Sequence, residues 1–152
     1  MSAERKRSTA QILTRLLFVA YALWMLWLLF GQRFGTQIYS QQLARSLNLK
    51  PFATIDMYRK LLVSSNSKLF LRHAVINLAG NVAMFVPLGF FLPRIFPEFR
   101  RFFATFFFCL LLIATVEVFQ YFTMLGACDV DDIMLNMIGI SIGYVLSKLK
   151  RY

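Results

Sequence analysis

The chain is short of anions, nearly devoid of histidine and without any familiar catalytic signature, and each shortage removes a class of function. Of its 152 residues, 7 are acidic against 17 Lys and Arg, for a formal charge of +10. A single histidine, His73, cannot build a paired-histidine phosphatase site or an H-E-x-x-H zinc motif. G-x-S-x-G and phosphate-cradling glycine loops are missing too, so the known hydrolase chemistries lack their parts. Of the two cysteines, Cys109 lies inside an apolar run and Cys128 beyond its far end, too far apart to bridge, so neither a disulfide nor a zinc site is expected. There is no internal repeat, no low-complexity segment and no two-residue alternation of the kind a membrane β-barrel needs. The opening "MSAERKRSTAQ" has the charge of a signal peptide, but "LLFGQRFG" offers no small-x-small cleavage site, so an uncleaved first helix is expected.

What the chain has in abundance is apolar length. Hydrophobic residues make up 59% of it, 17 of them Phe, and the mean hydropathy of +0.60 lies far above that of a soluble domain. Four runs, at about 12–30, 74–92, 102–123 and 133–149, are long enough to cross a bilayer. These features predict an all-α membrane protein, one domain over 1–152, with about four transmembrane helices and a long outer loop at 31–73. In that loop "TIDMYRKLLV" puts Ile55, Tyr58 and Leu62 on one helical face. A short helix lying in the membrane interface and an ordinary surface loop both fit this stretch.

A basic chain can bind nucleic acid, but here the charges fall where a membrane would put them. Arg5, Lys6 and Arg7 precede the first span, Arg94, Arg100 and Arg101 join the second to the third, and Lys148, Lys150 and Arg151 close the chain. With four spans all three groups share one side, which by the positive-inside rule puts both termini in the cytoplasm of a cell-membrane protein and leaves no nucleic-acid role. The outer loop also holds seven Lys and Arg, so the reverse orientation stays open on charge alone. Arg15 lies in the first turn of the first span, where its long stem can reach back to the head groups. Trp24 and Trp27 would sit toward the outer interface.

Polar residues inside the spans call for interior partners. His73, Asn77 and Asn81 repeat at four-residue spacing on one face of the second span; Glu117 and Gln120 are neighbours on the third; Asp132, Asn136, Gly139 and Gly143 form a stripe on the fourth. At about 1.5 Å rise per residue, Asn77 and Asn136 lie roughly 6 Å, Glu117 roughly 9 Å and Asn81 roughly 12 Å from the outer helix ends, a common level in the outer half. The asparagines can serve simply as interhelical glue, and Gly139 and Gly143 as a packing motif. Asp129 and Asp131 are expected to cap the fourth helix, Asp132 to join the polar site, and Cys128 to be reachable from outside. A carboxylate at the depth of Glu117 costs roughly 2.5 kcal/mol or more unless paired, protonated or wet, and so is a candidate functional group. Two carboxylates close together in such a site should share a proton or a cation; Glu117 and Asp132 could hold Mg²⁺ or Ca²⁺, although no cofactor is otherwise indicated.

These stretches also carry a resemblance. "NLAGNVAMFVPLGFFLP", "EVFQ" and "DVDDIMLNMIGISIGY", preceded by "NLKPFATIDMY", resemble the VanZ-like membrane proteins over roughly residues 10–148. The family pattern falls on Asn48, Pro51, Asn77, Asn81, Pro87, Gly89, Glu117, Gln120, Asp129, Asp132, Asn136 and Gly139. The resemblance implies a small multi-helix membrane protein associated, in its founding member, with reduced susceptibility to teicoplanin; it implies no settled activity. Such proteins often carry an Arg just before the aspartates, where this chain has Gly126, Ala127 and Cys128, so Arg72, a cation or a proton is expected to balance the acids. Together these features suggest an outer polar site of Asn77, Asn81, Glu117, Gln120, Asp132 and Asn136, with Asp129, Pro87, Gly89, Gly139 and Gly143 structural. Membrane lipids and an amphiphilic envelope ligand, such as an envelope lipid or a lipid-tailed glycopeptide, are the expected partners. An envelope-lipid enzyme using Glu117 and Asp132, or a structural partner in a membrane assembly, are the alternatives.

Overall fold

The computed structural model describes residues 3–31, 47–64, 68–123, 125 and 128–149. Hydrocarbon offers no hydrogen bonds, so each apolar run must satisfy its own backbone, and each becomes a helix. Helix α1 (Ala3–Leu26) continues into a π-helical turn (Trp27–Gly31), followed by α2 (Ala53–Ser64), α3 (Lys68–Ile95), a 3-10 turn (Pro97–Arg100), α4 (Phe102–Phe122) and α5 (Val130–Leu149). The spans long and apolar enough to cross a membrane are four among the described residues, Ser8–Gly31, Ala74–Ile95, Phe102–Phe122 and Val130–Leu149. The chain is a multi-pass membrane protein. Of the two readings of the stretch after Pro51, the structure has the helix, and α5 starts at Val130 with Asp131 and Asp132 in its first turn, as the cap at Asp129 requires. A parallel ladder of two residues, β1 (Leu47–Asn48) on β2 (Cys128–Asp129), joins the segments that lead into α2 and α5.

The closest pairing is between α3 and α5. A Cβ on Gly139 would stand 2.1 Å from the Val82 carbonyl oxygen, one on Gly143 2.0 Å from that of Val86, and one on Gly89 2.1 Å from that of Ile140. The two backbones therefore touch at three places, an approach that only glycine permits, and dispersion between main chains replaces the hydrophobic drive that lipid removes. Around this seam Phe85, Leu88, Leu92, Cys109, Ile113, Met137 and Ile140 form the core, with Met25 from α1. At the arginine-rich end, the Arg100 carbonyl accepts from Tyr144 Oη at 2.6 Å and Lys148 Nζ at 2.8 Å, and Arg94 donates to the Ser147 carbonyl at 3.2 Å.

Helix α1 is attached more lightly. Tyr21 Oη donates to the Met84 carbonyl on α3 at 2.8 Å, and Gln120 Nε2 on α4 donates to the Leu29 carbonyl at 3.0 Å. Leu29 lies in the π-helical turn, whose wider hydrogen-bond spacing suits a carbonyl that turns outward to a side chain. Between α1 and the α3–α4 wall runs an apolar cleft of about 230 Å³, lined by Phe18, Met25, Leu29, Leu88, Ile113 and Val116 among others.

Candidate functional site

The site begins with a turn outside the spans. In "KPFA", Pro51 supplies the fixed φ of the first turn position, Phe52 follows at φ 64°, and Ala53 N–H closes the turn on the Lys50 carbonyl at 3.3 Å. A positive φ on a phenylalanine is uncommon and costs on the order of 1 kcal/mol or more, so other contacts must hold it. They are supplied by Asp131. Its carboxylate accepts from Phe52 N–H at 2.6 Å, Thr54 N–H at 2.8 Å and Ile55 N–H at 3.1 Å. The first turn of a helix leaves such donors without intrahelical partners, and its dipole favours an anion there. Asp131, 0% exposed, therefore caps α2 from a different helix instead of capping its own. The expectation that it mainly caps α5 is corrected, because a one-dimensional spacing rule cannot see a second helix end arriving from the loop.

Asp129 does cap α5, accepting from the Asp131 N–H at 2.9 Å. It also accepts from Thr54 Oγ1 at 2.5 Å and from Asn48 Nδ2 at 3.2 Å on each oxygen. The β1–β2 ladder sets this register by pairing Asn48 with Asp129. The two carboxylates thus lace the long loop before α3 to the bundle through backbone N–H groups, one hydroxyl and one amide. That arrangement answers how Asp129 and Asp131 are accommodated without the Arg common in the family pattern: Arg72 is exposed, and neutral donors do the work. Charge-assisted bonds of this type are about twice as strong as neutral ones.

One turn deeper, Asn81 Nδ2 donates to Asp132 Oδ1 at 2.5 Å, joining α3 to α5. Asn77 and Asn136 lie four residues away from these partners on the same helix faces. The Oδ1 atoms of Asn77 and Asn136 are both buried with no hydrogen-bond partner among the described residues, and Asn136 is 4% exposed overall. Glu117 is buried on α4. Its charge reaches the Cys128 thiol, which burial, then Glu117, then Asp129 push above its ordinary pKa. Tyr58 on α2 is raised by partial burial, then by Asp132, then by Asp129. Glu117 and Cys128, and Tyr58 and the Asp129–Asp132 acids, are thus electrostatically coupled.

Cys128 is buried and its thiol is held protonated, so the expectation of an exposed, labelling-ready cysteine is corrected. The Gln120 amide N–H is committed to α1, away from the Asn81–Asp132 pair. The side chains of His73 and Leu62 lie outside the described residues, as do Gly126 and Ala127. Among the described residues no group of three or more His, Cys, Asp and Glu stands where it could hold a metal ion. Sequence reading passed over Thr54 and undervalued Tyr58. The signal was the pairing of a turn-forming Pro51 with a helix start whose donors lack a local acidic cap.

Compared with known proteins, residues 16–151 match the VanZ/LLP1 family. The chain is 30% identical over 137 residues to Protein VanZ of Enterococcus faecium, an alignment that covers 90% of this chain and 74% of that protein. No solved structure matches.

Proposed function

The chain belongs to the VanZ family, and from that premise we propose that its acidic end faces outward and binds the head group of an amphiphile, an envelope lipid or a lipid-tailed glycopeptide such as teicoplanin. The observation that carries this reading is the pair of buried acceptors, Asn77 Oδ1 and Asn136 Oδ1, beside the Asn81–Asp132 bond. Each buried acceptor without a donor costs about 1–3 kcal/mol, so a ligand that brings N–H or O–H groups recovers free energy there. The apolar cleft along α1 supports the second half of the reading. Its wall includes Ile113 and Val116, the turn just before Glu117, which is compatible with a tail running from a head group at the polar site. A soluble ligand would have no use for that cleft.

In this reading Glu117 and Asp132 receive donors from the ligand, and Asp129 and Asp131 hold α2 across the site so that Tyr58 closes one side. Binding, rather than chemistry on the lipid, is the proposed role. Glu117→Gln and Asp132→Asn should each abolish protection in a teicoplanin-susceptibility complementation while membrane abundance stays normal, and Asp56→Asn, on an exposed face of α2, should change neither. Full protection by both variants at normal abundance would end the proposal. Purified protein that turns over a candidate lipid would replace binding with catalysis, and a stably copurifying protein would favour an assembly role. Orientation is best tested with a cysteine introduced at Leu49, 64% exposed next to β1, because native Cys128 is buried. An impermeant thiol reagent should label it in intact cells; labelling only after lysis would reverse the topology.

A further inference from the structure

The opposite end of the bundle carries a second pocket, of about 380 Å³, between the first turns of α1's span and the corner where α3 meets the 3-10 turn. Its walls include Gln11, Thr14, Arg15, Arg94, Pro97 and Arg100, and among the described residues none that lines it is acidic. We propose that this pocket binds the phosphate of an anionic glycerophospholipid in the leaflet that surrounds the arginine-rich end, a role separate from the acidic site and independent of its ligand.

Helix-flanking basic residues set topology in any membrane protein, but a flank does not require convergence. Here three arginines arrive from three separate segments to line one cavity, which concentrates positive charge where an anion is favoured. Arg15 lies in the first turns of the span Ser8–Gly31 and Arg94 beside the last residue of Ala74–Ile95, so both stand near head-group level, within reach of a lipid phosphate. Arg94 is also held in place, with its Cζ 4.0 Å over the Phe90 ring and a guanidinium nitrogen on the Ser147 carbonyl. Tyr144 and Lys148, both bonded to the Arg100 carbonyl, fix the turn that presents Arg100. A preset fork of arginine donors matches the oxygens of a phosphate, and basic pockets between membrane helices are suited to lipid head groups.

The test uses the purified full-length chain in mild detergent, with retained phosphatidylglycerol and phosphatidylcholine counted by native mass spectrometry. Phosphatidylglycerol should be retained preferentially, and Arg15→Gln and Arg100→Gln should each weaken its retention about fivefold. Arg101→Gln, outside the pocket, should leave it unchanged. Arg94→Gln should also weaken retention; because it removes the Ser147 contact as well, Arg15→Gln, at an exposed side chain, carries the decision if that variant folds poorly. Equal retention of the two lipids, or a loss with Arg101→Gln as large as with Arg15→Gln, would overturn the site. Displacement of phosphatidylglycerol by millimolar inorganic phosphate would overturn the lipid assignment, leaving the free anion as occupant; persistence of the lipid under that challenge supports it.

Discussion

Helices α1 and α5 both cross the membrane, yet they are held by opposite means. Half of the apolar window of α5 is buried inside the protein, against 6% for α1, although α5 is the least apolar of the four spans. In water that order would be reversed. In a bilayer the lipid already welcomes apolar surface, so what gathers helices is backbone contact and polar bonding, and α5 has both. Its glycines lie on α3 carbonyls, and its first turn supplies Asp131 and Asp132 to α2 and α3. Helix α1 has two polar pegs, Tyr21 and the Gln120 bond, and beside them an open apolar cleft. The α3–α5 pair is the tightly packed frame of the acidic site, and α1 is the lightly held wall of the apolar cleft.

The comparison is broken most severely at the glycines. Gly139→Leu should abolish folded protein in membranes, because the new side chain occupies the position of the Val82 carbonyl; similar bulk added at exposed Ala20 of α1 should leave abundance unchanged. Next in size is Asp131→Ala, which strips three N–H donors of their acceptor and should cost about 3 kcal/mol, read as a lower thermal midpoint in detergent and faster proteolysis within α2. Asp131→Asn, keeping one carbonyl oxygen, should fall between this and the parent.

On the α1 side the effects should be smaller. Gln120→Ala should cost about 1 kcal/mol and leave α2 protected from protease while α1 loosens, measured by cross-linking of α1 to α4. Tyr21→Phe should cost least, about 0.6 kcal/mol, since only the bond to the Met84 carbonyl is lost and the ring stays in place. If either change destabilised the protein as much as Asp131→Ala, the division into frame and wall would be wrong.

Much of the fold was legible in the sequence. The four apolar runs, the glycine stripe of α5 and the polar residues on three spans are each local patterns, because helix periodicity and bilayer thickness act on contiguous residues. Asp132 could be assigned to the interior because its four-residue step to Asn136 is a statement about one helix face. The partners were less legible. That Asn81 meets Asp132, and that Gln120 reaches back to Leu29 rather than into the acidic site, depends on how the helices are rotated against one another.

The sequence by itself determined that this chain crosses a membrane as helices, that three of its seven anions cluster ahead of the last span, and that it belongs among the VanZ proteins, since composition, periodicity and motif order are properties of the chain as written. Tertiary structure alone decided which acid serves which donor. Asp129 and Asp131 look alike in "DVDD", yet one gathers Asn48 and Thr54 while the other caps α2 across a gap of more than 70 residues. Hydrogen bonds are satisfied in space, by whichever donor the packed backbones bring within about 3 Å, and sequence distance sets no limit on which donor that is.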